Sequence, residues 1–189
     1  QTADRFGPAW GGDAVLACTQ SRETLSSGDP YNEGFRHFLR LKNTATSSDN
    51  GAYAQMRYKI EAQDLAKSGW HYTSSSSFVT CSFWVRFSIA GTYYVQYRAM
   101  DTGNRFFNRS FTVAANTWTK VSHTIPGDSS LVINNDNGNG FEIVIVAHYG
   151  STYQGSNASI GSWFSLSGTD YFPASIYSQD WTGTADATM

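Results

Sequence analysis

Along residues 79–88, VTCSFWVRFS, apolar and polar side chains alternate: Val79, Cys81, Phe83, Val85 and Phe87 fall on one side, Thr80, Ser82, Trp84, Arg86 and Ser88 on the other. An α-helix repeats about every 3.6 residues and cannot make a period of two, whereas an extended chain does. β-Branched and aromatic residues dominate the segment, so it is predicted as a strand with one buried and one accessible face. The accessible face carries Trp84 and Arg86.

The same alternation recurs. Residues 13–20 are a first strand candidate, and 35–42 set Phe35, His37, Leu39 and Leu41 against Arg36, Phe38, Arg40 and Lys42. Residues 52–60 oppose Tyr53, Gln55, Arg57 and Lys59 to Ala54, Met56, Tyr58 and Ile60. In 92–100, Tyr93, Val95, Tyr97 and Ala99 are expected inward and Tyr94, Gln96 and Arg98 outward, with a hairpin turn at 101–104 (DTGN) leading back through 106–113. Residues 118–125 stop at Pro126 and Gly127, and 141–149, FEIVIVAHY, is the most apolar run. Short strands are expected around 160–166 and 175–178, and Phe6, Pro8 and Trp10 are expected to cross a sheet edge. Helix is tempting only at 61–67, for a turn or two before Gly69. Turns rich in Gly, Pro, Asn and Asp separate these runs. The prediction is an all-β antiparallel β-sandwich, as a jelly roll.

Composition narrows the function. A chain of 189 residues with 40% hydrophobic content suits one β-sandwich domain, 1–189. A net charge of −2 with 15% charged residues and no basic cluster argues against nucleic acid as a partner. No apolar run approaches the roughly 18 residues that span a bilayer, so no membrane partner is expected. Cys18 and Cys81 lack metal-type spacing; Cys81 reads as a small hydrophobe, and a disulfide between the two is left open. The four histidines, His37, His71, His123 and His148, are scattered, and the polar loop 134–140 reads as a turn, so no metal or cofactor is expected.

Catalysis is not expected either. A sandwich glycanase brings two carboxylates together across a cleft, but Glu23, Glu33, Glu61 and Glu142 form no paired motif. A lyase-like set of Arg86, Arg98, Tyr94 and His148 lacks the strand phrases of such enzymes. Sugars present apolar ring faces and a rim of hydroxyls, which aromatic platforms and planar hydrogen-bonding groups recognise. Trp84, Arg86, Tyr94, Gln96 and Arg98 are therefore the candidate glycan-binding residues, supplied by two neighbouring strands on the face opposite the core. The competing reading packs Trp84 beneath a loop or partner chain, with an Arg stacked on it.

Five phrases then carry a resemblance: TADRFG (2–7), TCSFWVR (80–86), AANTWTKVSHTIPGD (114–128), NDNGNGFEIVIV (135–146) and GSTYQG (150–155). In that order and spacing they resemble a repeated module of bacteriophage tail-fibre and other virion structural proteins, of the marine and cyanobacterial phage type. The resemblance implies a jelly roll like carbohydrate-binding modules, non-catalytic and displayed on a virion surface as fibre, spike or capsid decoration. It implies other virion proteins as partners, a homo-oligomer, trimeric in a fibre, and host-surface glycan as ligand. The alternative is a carbohydrate-binding module of a secreted polysaccharide-degrading enzyme. Two departures stand out. His123 occupies a position where such modules place an aliphatic residue, and their closing strand begins where this sequence stops, so the domain is expected to belong to a longer chain or to borrow that strand.

Overall fold

The computed structural model describes residues 6–177 and 179–189. In chain order the elements are β1 (Phe6–Gly11), β2 (Ala17–Thr24), the one-turn α1 (Asp29–Asn32), β3 (His37–Ala45), β4 (Tyr53–Glu61) and α2 (Ala62–Ala66). They continue with β5 (Phe78–Val85), β6 (Gly91–Ala99), β7 (Arg105–Val113), β8 (Thr119–Pro126), β9 (Asn139–Tyr149) and β10 (Trp163–Ser165). Six strands form one antiparallel sheet in the order β1-β4-β9-β6-β7-β10, and β2-β3 and β5-β8 form two antiparallel pairs.

The last residues tie the two pairs together. Leu41 and Met189 exchange both backbone hydrogen bonds at 2.9 Å, the Asn43 N–H donates to the Ala187 carbonyl at 2.8 Å, and the Ser88 N–H donates to the Thr188 carbonyl at 3.1 Å. The second layer therefore reads β2, β3, residues 187–189, β5, β8. It packs on the six-stranded sheet as the expected sandwich. Cys18, Leu41, Val85, Phe87, Val121 and Ile125 from this layer share one core with Met56, Tyr93, Val95, Tyr97, Phe111 and Phe141 from the sheet. Phe87 stacks on Tyr93 with ring centroids 3.7 Å apart. This order is compatible with a jelly roll.

β1 is an edge strand, where Pro8 costs no ladder hydrogen bond. α2 falls inside the predicted helical run. β2 starts later than 13–20 because Asp13 folds the chain into a turn, its carboxylate accepting the Val15 N–H at 3.1 Å. The strand expected at 175–178 is not formed at 175–177, where the Ile176 carbonyl instead accepts the Tyr94 hydroxyl at 3.1 Å; Ser178 lies outside the described residues. The face of β6 expected to be accessible is buried: Tyr94 joins Val144, Val146, Tyr149 and Phe172 in a second cluster beneath residues 150–177.

The unusual His123 is buried and satisfied. Its Nδ1 lies 3.0 Å from the Tyr97 hydroxyl and its Nε2 lies 3.3 Å from the Ser110 carbonyl, which can only accept, so Nε2 carries the proton. Cys18 and Cys81 are both free, and burial pushes the Cys18 thiol up to about 11.

Burial lowers the pKa of both His123 and His148 below the ordinary imidazole value. The folded protein thus favours neutral rings, and the unfolded chain binds more protons as the pH falls through about 6.5. Stability is expected to be full above that value and to drop below it. Urea midpoints measured at about pH 7.5 and about pH 5.5 check this, and His123→Gln should flatten the difference.

Candidate functional site

β5 and β6 follow each other in sequence but belong to different layers: β5 pairs with β8, and β6 with β7 and β9. The five predicted residues are therefore not on two neighbouring strands. Trp84 and Arg86 stand on the outer side of the second layer, while Tyr94, Gln96 and Arg98 lie on the far side of the six-stranded sheet, under the 150–177 excursion. The lyase-like set is parted in the same way, Arg86 from Arg98, Tyr94 and His148.

The β6 group is a buried polar network. Gln96, with no exposure, donates to the Asn108 side-chain oxygen at 2.9 Å and to the Tyr171 carbonyl at 3.0 Å, and accepts from Arg98 Nε at 2.7 Å. Arg98 Nη2 donates to the Tyr149 hydroxyl at 2.9 Å and lies 3.4 Å from Gln55 Oε1, and Nη1 lies 3.5 Å from Glu142 Oε2. A buried guanidinium so surrounded is held in place by partners on β4, β9 and its own β6, and its removal would leave them buried and short of a partner.

The β5 group borders an open groove of about 1110 Å³ between β3 and β5. Its floor includes Leu39, Met56, Ile143, Ile145 and Phe83, and its rim includes Phe38, Trp84, Arg86 and Trp118. The Trp84 indole donates to Glu33 Oε2 at 3.0 Å, while Lys120 Nζ bonds both Glu33 oxygens, at 2.8 and 3.0 Å, and stands 5.6 Å from the indole centroid. These bonds from Lys120 and Trp84 hold the Glu33 carboxyl below its ordinary pKa. Phe38 and Trp118 meet edge to face at 5.1 Å, and Arg86 Nε donates to the Asn116 carbonyl at 2.9 Å.

Sequence reasoning missed Glu33, Phe38, Trp118 and Lys120. Lys120 sits directly opposite Trp84 in the β5–β8 register, a cross-strand relation visible only once the pair is known. Glu33 arrives from the turn after α1, whose course no periodicity reveals. The arrangement offers an aromatic edge, two cations and an apolar trough, which is chemistry for contact. Among the described residues, no group of three His, Cys, Asp or Glu side chains is placed to hold a metal.

No protein-family model matches this sequence, and no curated protein matches it.

The two groups should respond differently to truncation. Arg98→Ala leaves Glu142 and Gln96 buried with lost partners and should cost about 3–5 kcal/mol in urea denaturation. Trp84→Ala and Arg86→Ala, at the solvent side, should each cost about 1 kcal/mol or less.

Proposed function

We propose that this chain is a non-catalytic structural domain of a bacteriophage virion, on a tail fibre, spike or capsid surface, and that the rim around Trp84 and Arg86 contacts host-surface glycan. The observation that carries the reading is spatial. Two of the phrases that bear the resemblance, 80–86 and 114–128, contain most of β5 and all of β8, which pair, and together supply Trp84, Arg86, Asn116 and Trp118 to one groove rim, with Lys120 beside Trp84. An indole with a fixed N–H, flanked by Lys120 and Arg86, is suited to the apolar face and hydroxyl rim of a sugar ring.

The carboxylates near the groove are already engaged. Glu33 is bound by Lys120 and Trp84, and Glu23 by Arg40 at 2.8 Å and by the Ser21 hydroxyl at 2.6 Å. A general acid needs a carboxyl whose pKa is raised, and the one at Glu33 is lowered. Tyr94, Gln96 and Arg98 leave the glycan proposal, because covering residues occupy the surface that a sugar would need.

Antibody raised against the purified chain is expected to label intact virions of the phage that encodes it; unlabelled intact particles overturn the virion reading. In affinity electrophoresis through host-surface polysaccharide, the chain should be retarded, and Trp84→Ala should abolish the retardation while thermal unfolding stays intact. Unchanged retardation of the folded variant removes the sugar from the proposal.

A further inference from the structure

β2 is the outer strand of the second layer, and the inward face of this strand changes character along its length. Cys18 lies in the core, so Gln20 and Arg22, two and four residues on, share its side of the strand. The register agrees. Gln20 stands directly opposite Leu41, which has no exposure, and Arg22 directly opposite Leu39, which packs against the core. A guanidinium therefore points between the layers, and it is exposed there as part of the groove wall.

Among the described residues, Arg22 makes no ion pair, since the neighbouring Glu23 lies on the opposite face and is bound by Arg40 and Ser21. Gln20 Nε2 is buried without a hydrogen-bond partner. Two donors on one strand face thus line the groove with no acceptor from the chain itself, whereas buried donors are as a rule satisfied. The floor beside them is apolar and mostly aliphatic, with Leu39, Met56, Ile143 and Ile145, and no described Asp or Glu lines it although the chain carries a net charge of −2. A charge on an edge strand also blunts pairing with other chains, but that role needs neither the apolar floor nor the Gln20 donor.

We propose that the groove binds a long-chain carboxylate, its anionic head on Arg22 and Gln20 and its alkyl chain along Met56, Ile143 and Ile145. The aliphatic floor suits a flexible chain that gains by leaving water, while a carboxylate accepts the charge-assisted bonds that a guanidinium and an amide offer. A cavity of about 1110 Å³, largely apolar with a few convergent polar groups, is the usual form of a small-molecule site. The site lies on the inner side of the layer, away from the outer rim at Trp84, and it is independent of the virion and glycan readings.

The test is titration calorimetry of the 189-residue chain with dodecanoate below its micellar concentration. Dodecanoate should bind once per chain, decanoate about tenfold more weakly for its two missing methylenes, and uncharged dodecanol at least about tenfold more weakly for its missing charge. Arg22→Gln should weaken dodecanoate by about tenfold or more and Gln20→Leu by about threefold, with the thermal midpoint of each variant within about 2 °C of the parent, since surface changes of this kind cost little. No binding of dodecanoate, equal binding of dodecanol, or unchanged affinity in Arg22→Gln overturns the proposal. So does a groove that takes a uronic-acid oligosaccharide or an extended apolar peptide but not dodecanoate. A second measurement needs no substitution. Dodecanoate labelled with ¹³C at its carboxyl and bound to the unaltered chain should titrate below the free acid, because a neighbouring guanidinium favours the charged form; a titration at or above that of the free acid overturns the placement of the head on Arg22.

Discussion

Burial of β6 and β9 on both faces is the constraint from which the rest of this fold follows. Odd-numbered β6 residues, Tyr93 to Ala99, enter the space between the layers, while Tyr94, Gln96 and Arg98 enter the space beneath residues 150–177. A polar side chain taken out of water on such a strand is tolerable only if it is bonded inside. Gln96, Arg98, Asn108, Gln55 and Tyr149 meet that condition by bonding one another. The network also holds its own cover, since the Tyr171 carbonyl accepts from both Gln96 and Asn108 at 3.0 and 2.9 Å. Removing the polar groups would therefore loosen the excursion that buries them.

The opposite layer is built differently. Two strand pairs joined by residues 187–189 stand against a sheet of six strands, and they cover it unevenly. Where 187–189 are present the core closes: Leu41 has no exposure, and the Asn43 amide bonds three carbonyls at Trp181, Thr182 and Thr184 at 2.8–3.3 Å. Beyond Met189 the layer opens, and large apolar side chains such as Phe35 at the groove margin remain 52% exposed. Dense packing around residues 187–189 and an apolar trough beside them thus share one layer.

Alternation in the sequence was enough to find β5 and to orient its inner face, because a half-buried strand writes its environment into every second residue, whereas β9, buried on both faces, was found as a continuous apolar run. It failed at β6 for a physical reason. Polar residues at alternate positions look the same whether they meet water or meet one another, so Gln96 and Arg98 were expected at a surface that does not exist. The pairing of Trp84 with Arg98 across one platform failed for a second reason: residues 86–90 are short enough for a hairpin, and periodicity does not record that the chain instead changes layers there. Asn108 likewise has its amide nitrogen committed to the Tyr171 carbonyl, another partner distant in sequence. What was legible was each strand's own face, and what was not was the identity of its neighbour.

The surface chemistry around Trp84 is coupled to that architecture through β5. Trp84 and Arg86 alternate with Phe83 and Val85, whose side chains face inward along the groove, so the rim and the floor are two sides of one strand. β8 and the Glu33–Lys120 contact hold one side of β5, whereas the other side is an unpaired edge past Ser88. A platform on a strand paired along one edge must lose more freedom on binding than the same platform on a strand paired along both. The aromatic rim and the apolar floor of the groove are therefore fixed together, because both are carried by β5 and β5 is held in place by β8.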